Sequence, residues 1–175
     1  MTLAFALLVC SGRKVTQGCP CGFFTDPQKE CICTPLQIQR YRSKVSGPLL
    51  DRIDIQVEVP TLRYQELASK DAGEASVAIR ERVNAARSIQ LARFATRGIH
   101  ANAQMGARDL KRHCVIHSEG EKLLETAINK LGLSARAYSR VLKVSRTIAD
   151  LAGSEEIQSA HIAEAIQYRS LDRRM

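Results

Sequence analysis

Two arginines and four cysteines are the residues of this chain whose types and spacing could do chemistry. Arg52 lies in the stretch Ser46 to Pro60, SGPLLDRIDIQVEVP, in a turn just ahead of a strand pattern. Ile53, Ile55, Val57 and Val59 alternate with Asp54, Gln56 and Glu58, the period of a strand with one buried face. Gly47 and Pro48 break the chain before this strand and Pro60 ends it. Flanked by Asp51 and Asp54, Arg52 is therefore expected at the rim of a packed element. A rigidly mounted rim arginine is what one subunit needs to reach into a neighbour's active site.

Arg136 is the second arginine. Ser134 reads as the cap of a helix running to Leu151, which puts Arg136 in its first turn. Unpaired backbone N–H groups and the positive helix end already favour an anion there. An arginine at that point is disfavoured unless an anion compensates, so it is either a phosphate contact or half of an ion pair with a nearby carboxylate.

Cys19, Cys21, Cys31 and Cys33 form the pattern C-P-C-G-x8-C-I-C. Two close pairs can place four thiolates on one tetrahedral Zn2+, although Cys-x-Cys is tighter than the usual Cys-x2-Cys. A structural metal, a metal-free cysteine-rich loop and redox or iron–sulfur use all remain open from the spacing. Cys10 and Cys114 stand alone and read as buried small apolar residues. His100, His113, His117 and His161 form no ligand motif; His113 and His117 have helical ligand spacing but no suitably placed acid.

The elements that must position these residues fall into three zones. Residues 2–10, TLAFALLVC, read as a buried strand: no positive charge precedes the run, and it is too short to span a bilayer. A Gly/Cys/Pro-rich loop follows to residue 33. Thr34-Pro35 starts a helix through LQIQRYRSKV, stopped by Ser46-Gly47-Pro48 ahead of the strand. Residues 61–175 read as wholly helical. A long helix over 74–96 carries Ala75, Ile79, Val83, Ala86 and Ile89 near helical spacing, and its Arg80, Arg82, Arg87, Arg93 and Arg97 read as a solvated basic surface. Residues 107–113 form a short helix. Ser118 is expected to cap the next one, with Glu121 completing a capping box and Gly132 stopping it. Tyr138, Val141, Leu142, Ser145, Ile148, Ala149 and Ala152 make an apolar stripe on the helix after Ser134, and Ser159 starts the last helix.

Composition sets the bounds. The 175 residues are 45% hydrophobic and 25% charged, the profile of a globular chain, with no Trp. The net charge of +8 sits mostly in the second part: residues 1–60 hold 7 basic and 5 acidic residues, residues 61–175 hold 19 and 13. Such an excess suits a polyanionic partner or a solvated basic surface. A cytoplasmic location is expected, and with it six cysteines that do not form structural disulfides. No G-x-x-x-x-G-K-[ST] loop occurs, and no acidic cluster follows an apolar strand to hold Mg2+. The chain alone is therefore not expected to bind and hydrolyse a nucleotide well.

CPCGFFTDPQKECICTPLQIQRYRSKVSGPLLDRIDIQVEVP resembles the C-terminal part of the magnesium-chelatase-like AAA+ ATPases of the YifB/ComM type. The Cys-Pro-Cys-Gly loop, the Gln-Ile-x-x-Tyr helix, Ser-Gly-Pro-Leu-Leu-Asp-Arg-Ile-Asp and the later Leu-Ser-Ala-Arg-Ala-Tyr-x-Arg-Val-Leu-Lys-Val carry the likeness, over roughly residues 19–170. It implies a hexameric ATPase using ATP and Mg2+, with a zinc-finger-like Cys loop, associated with DNA branch migration in natural transformation. It also implies that Arg52 is the arginine finger of the Leu-Leu-x-Arg-Ile/Phe-Asp motif shared with the MCM helicases, and that Arg136 is the sensor 2 arginine. The family's Walker A and Walker B segments are missing, and residues 1–18 match poorly, with Gln17 near the place of the sensor 1 Asn.

The expectation is thus a mainly α chain. Residues 1–62 would be the tail of an AAA+ α/β core, with strands near 3–9 and 53–59 taken from a parallel sheet, and residues 63–175 an all-α lid. The expected role is a C-terminal fragment of a ComM-like ATPase, forming a homo-oligomer and acting on DNA away from the membrane. The alternative is a non-enzymatic DNA- or partner-binding module with a structural zinc loop; a chelatase helper ranks last.

Overall fold

The computed structural model describes residues 4–9, 12–24, 26, 28–46, 49, 52–59, 68 and 73–169. The chain is mainly α and divides into two compact units, Met1–Lys70 with Tyr168–Met175, and Asp71–Gln167. Gly47, Pro48, Asp51, Pro60 and Cys10, on which several expectations rested, lie outside the described residues.

The first unit holds β1 (Ala4–Val9), β2 (Gly12–Gln17), α1 (Pro35–Arg42) and β3 (Ile55–Val59). The strands form one sheet of order β2-β1-β3, and both pairings are antiparallel. The parallel arrangement expected from the AAA+ likeness is not what these strands adopt. Val9 pairs with Gly12, so two residues connect β1 and β2, and a link that short permits only antiparallel pairing. β2 itself, GRKVTQ, was expected as loop.

α1 begins where its sequence says it should. The Gln37 N–H donates to Thr34 Oγ1 at 3.3 Å, the Thr34 N–H donates to Gln37 Oε1 at 2.8 Å, and Pro35 takes the first helical position. No α1 residue is buried, so this helix is held by its ends rather than by a core.

The second unit packs α2 (Ser76–Arg93), α3 (Ala107–His113), α4 (Ser118–Leu131), α5 (Ala135–Leu151) and α6 (Ser159–Gln167), with a 3-10 turn at Asn102–Gln104. Its core joins Phe94, Leu124, Val141, Leu142, Ile157 and Ile162. α5 is central because its spacing puts Val141, Leu142, Ser145 and Ala149 on one buried face. Gly132 ends α4 at φ 65°, donating to the Ile128 carbonyl at 2.9 Å. At Gly120 a Cβ would lie 2.5 Å from Ile162 Cδ1, so α4 and α6 approach closely there.

Two local expectations change. Ser118 is the first residue of α4 and His117 is its cap, without a side-chain cap bond. On α2 only Ala86 and Gln90 are buried; Ile79, Val83 and Ile89 face outward. The core of this unit is filled by the later helices, so most of the α2 stripe is left in solvent.

Instead, α2 docks through a buried polar knot. Arg93 binds the Asp150 carboxylate with both terminal nitrogens, and Asn102 Nδ2 donates to Asp150 Oδ2 at 2.7 Å. Arg146 Nε donates to Asp150 Oδ1 at 3.1 Å, while its terminal nitrogens bond the Glu155 and Ser154 carbonyls at 2.7 and 2.6 Å. The expected solvated arginine surface is corrected at Arg93, which is in the knot; Arg80, Arg82, Arg87 and Arg97 are exposed, Arg82 pairing with Glu74 at 2.7 Å and Arg97 with Asp109 at 2.6 Å.

Burial alone would raise the Asp150 carboxyl, but the Arg93 and Asn102 bonds and the Arg93 and Arg146 charges outweigh it and hold it below its ordinary value. A depressed folded-state value means the stabilisation is complete above the unfolded value of about 3.9 and is lost as pH falls through the folded one. Asp150→Ala strands two buried guanidinium groups and is expected to cost about 3–5 kcal/mol, measured by urea unfolding at pH 7. The gap between wild type and Asp150→Ala should narrow as the pH is lowered below about 4.

Candidate functional site

The four cysteines converge. The Sγ atoms of Cys19, Cys21, Cys31 and Cys33 all lie within 4.8 Å of one another. Cys19–Cys21 is 3.3 Å, and Cys31 is 3.6 Å from both. A tetrahedral metal with bonds of about 2.3 Å sets its sulfurs about 3.8 Å apart, so donor type, number and spacing all fit one metal ion. Gly22 makes the fit possible: at φ 84° it turns the chain back, its N–H donating to the Cys19 carbonyl at 3.1 Å.

The surrounding backbone is arranged for charge on sulfur. The N–H of Phe23 bonds Cys21, that of Cys33 bonds Cys31, and that of Cys21 bonds Cys33. Such outer-shell donors orient thiolate ligands. The Phe23 N–H and the neighbouring thiols, set against desolvation, pull the Cys21 thiol down to about 6. For Cys31 the Cys33 N–H acts downward, but desolvation and the adjacent sulfurs prevail and push it up to about 12. Cys33 is raised too: the Cys21 N–H lowers it, and desolvation with the neighbouring sulfurs outweighs that bond. Crowding thus favours the thiolate at Cys21 and disfavours it at Cys31 and Cys33, a balance that a bound cation would shift toward thiolate.

This cluster is tied to α1. Arg42 Nε donates to the Gly18 carbonyl at 3.3 Å, and its guanidinium stacks 4.5 Å from the Phe24 ring centroid. Phe24 in turn lies against Gly18, where a Cβ would be 3.2 Å from the ring. Among the described side chains of the first unit, Cys19 and Ile53 are its buried apolar residues.

Arg52 sits in a turn before β3, with its side chain exposed and no ion pair to a described residue. Its N–H donates to the Leu49 carbonyl at 3.0 Å. The next residue, Ile53, is fully buried, and its carbonyl accepts from Arg169 Nη1 at 2.6 Å. The Tyr168 carbonyl accepts from the Gln56 N–H at 2.9 Å. Of the expected buried face, Ile53 is covered, whereas Val59 is exposed and Gln56 is buried instead. A charged donor on a carbonyl is worth about 1.5–3 kcal/mol, comparable with the entropy of fixing one or two residues, about 1–2 kcal/mol each. Arg169 was not singled out from the sequence: 116 positions separate it from its acceptor, and no local pattern marks the pairing.

Arg136 is the second residue of α5, exposed, with no acidic residue in that first turn and no carboxylate partner among the described residues. Ser134 Oγ accepts from the Ala137 N–H at 3.2 Å. Arg52 and Arg136 lie in different units. Gln17 ends β2. His117 faces Glu156 at 3.1 Å and His113 packs edge-on to Phe94. No helix is long and apolar enough to cross a membrane among the described residues.

Residues 73–169 match the family model for the magnesium chelatase subunit ChlI C-terminal domain, and residues 7–67 match that for magnesium chelatase subunit ChlI. The chain is 43% identical to competence protein ComM of Haemophilus influenzae over 155 residues, 88% of this chain and 29% of that protein. It is 41% identical to the YifB proteins of Salmonella typhimurium and Escherichia coli over 143 residues, 81% of this chain and 27% of each relative. The chain thus spans under a third of the length of these relatives.

Supplied with Zn2+ at pH 7.5, the chain is expected to retain one ion per molecule by elemental analysis after gel filtration, and Cys31→Ser to lose it. Because binding must displace at least the protons held on Cys31 and Cys33, affinity should fall by about 100-fold or more from pH 7 to pH 6 in a competition titration. Four reduced thiols that take up no zinc would end the metal reading.

Proposed function

The chain belongs to the magnesium chelatase ChlI C-terminal family, and from that premise we propose that it supplies Arg52 and Arg136 to an ATP site completed by another subunit of a ComM-like AAA+ ATPase acting on DNA. The observation that carries this reading is the mounting of Arg52. Its side chain is exposed, while the residue after it is fully buried and hydrogen-bonded by a buried arginine. Other exposed arginines, such as Arg80 and Arg87 on α2, stand on a helix face with no such anchor.

The chemistry follows from charge. In phosphoryl transfer, negative charge spreads over the γ-phosphate oxygens, and a fixed cation stabilises it in the transition state more than in the ground state. Arg52 fills that role as the finger. No phosphate loop occurs in residues 1–175, so the nucleotide it serves is held by other polypeptide.

Arg136 fits sensor 2 for a separate reason. A cation in the first turn opposes the helix dipole by about 0.3–1 kcal/mol, and a terminal phosphate placed there removes that penalty. Residues 1–62 are read as the end of the AAA+ core and 63–175 as its lid. Zinc in the Cys loop holds the core segment together, and the basic excess of the second part faces DNA. On this reading the molecule acts in a homo-oligomer, with Mg2+ accompanying ATP. On the same reading it acts in the cytoplasm.

Finger residues are worth on the order of 10³–10⁵ in rate. In complete subunits carrying this segment, Arg52→Ala is expected to lower ATPase kcat by at least about 100-fold while ATP binding changes by no more than a few-fold. Arg136→Ala should instead weaken ATP binding as well. Unchanged turnover in Arg52→Ala would remove the finger assignment.

A further inference from the structure

We propose that Arg169 is a positioning residue for Arg52: its buried guanidinium fixes the backbone from which Arg52 projects. The inference rests on the finger reading and adds the residue that makes the finger rigid.

Three hydrogen bonds bracket Arg52. Ahead of its side chain, the Arg52 N–H donates to the Leu49 carbonyl at 3.0 Å. One residue later the Ile53 carbonyl accepts from Arg169 Nη1 at 2.6 Å. Three residues after that, the Gln56 N–H donates to the Tyr168 carbonyl at 2.9 Å. The last two come from consecutive residues just beyond α6, so Tyr168 and Arg169 act on β3 as one clip. Both bonded ends are closed to water: Arg169 is 1% exposed and Ile53 is 0%.

Charge explains why an arginine does this. The bond runs from a cation to a carbonyl in a dry setting, where it is strong and directional. β3 pairs with β1 in the sheet, and the Tyr168 carbonyl accepts the Gln56 N–H, which leaves the Arg52 turn little freedom. Freedom there matters because a displacement of about 1 Å of a catalytic group costs about 100-fold in rate. Arg169 touches no reacting atom; it acts through the Ile53 carbonyl.

Three variants separate this role from general stability. In the full 175-residue chain, hydrogen exchange of the Arg52 and Gln56 amides should quicken by about tenfold or more in Arg169→Met, with the α5 amides of Val141 to Ala149 unchanged. Arg169→Lys, which keeps a charged donor without the fork, should fall between. In complete subunits carrying this segment, Arg169→Met should lower kcat by about tenfold or more with KM within about twofold, and Arg169→Lys should recover part of it. Equal loosening of the α5 amides, or no change at Arg52 and Gln56, overturns the positioning role. Full turnover in Arg169→Met alongside a dead Arg52→Ala overturns this inference alone. Full turnover in Arg52→Ala overturns the finger reading beneath it.

Discussion

A guanidinium removed from water needs acceptors, and this chain is held together by arginines that bond a carboxylate or a backbone carbonyl. Asp150 takes Arg93 and Arg146, and Arg146 also bonds the two carbonyls beyond the end of α5. Asn102 closes the same knot. α2, the 3-10 turn and α5 are tied by polar contacts where apolar ones are few. In the first unit Arg42 holds α1 to the Cys loop and Arg169 holds the start of β3. Each bonds a backbone carbonyl, so each fixes main chain rather than a movable side chain.

That division sorts the basic charge. Arg42, Arg93, Arg146 and Arg169 are structural, because their charge is matched or bonded inside the fold. Arg52 and Arg136 stand outside it, exposed, one at a clamped turn and one at a helix start. A cation without an internal partner among the described residues, on a rigid mount, is suited to an anion brought from elsewhere. The thiol cluster follows the same logic with opposite sign. Its crowded sulfurs sit in backbone donors that favour thiolate, and a dication would complete them.

Much of this was legible in the sequence where signals are local. Thr34-Pro35 capped α1, Gly132 ended α4, and Ser134 opened α5 with its apolar stripe, because caps and turns are decided within a few residues. The cysteine spacing likewise announced a cluster that the fold assembles. What stayed hidden depends on distant partners. β2 looks like a polar loop until β1 pairs with it. The α2 stripe fits a core helix by period, yet it faces outward because other helices fill the core. Arg93 looked like surface charge, since Asp150 lies 57 residues away, and Arg169 carried no signal at all. The domain tail and lid reading came from family likeness rather than from periodicity.

Trans action of Arg52 is the centre of the account, and this chain suits a direct test because it brings the arginine without a phosphate loop. Complete subunits carrying this segment with Arg52→Ala would be mixed with rising amounts of this chain and ATP turnover followed. Recovery of turnover with this chain, and none with its Arg52→Ala form, is the predicted result. Co-assembly of the two without any recovery would contradict it.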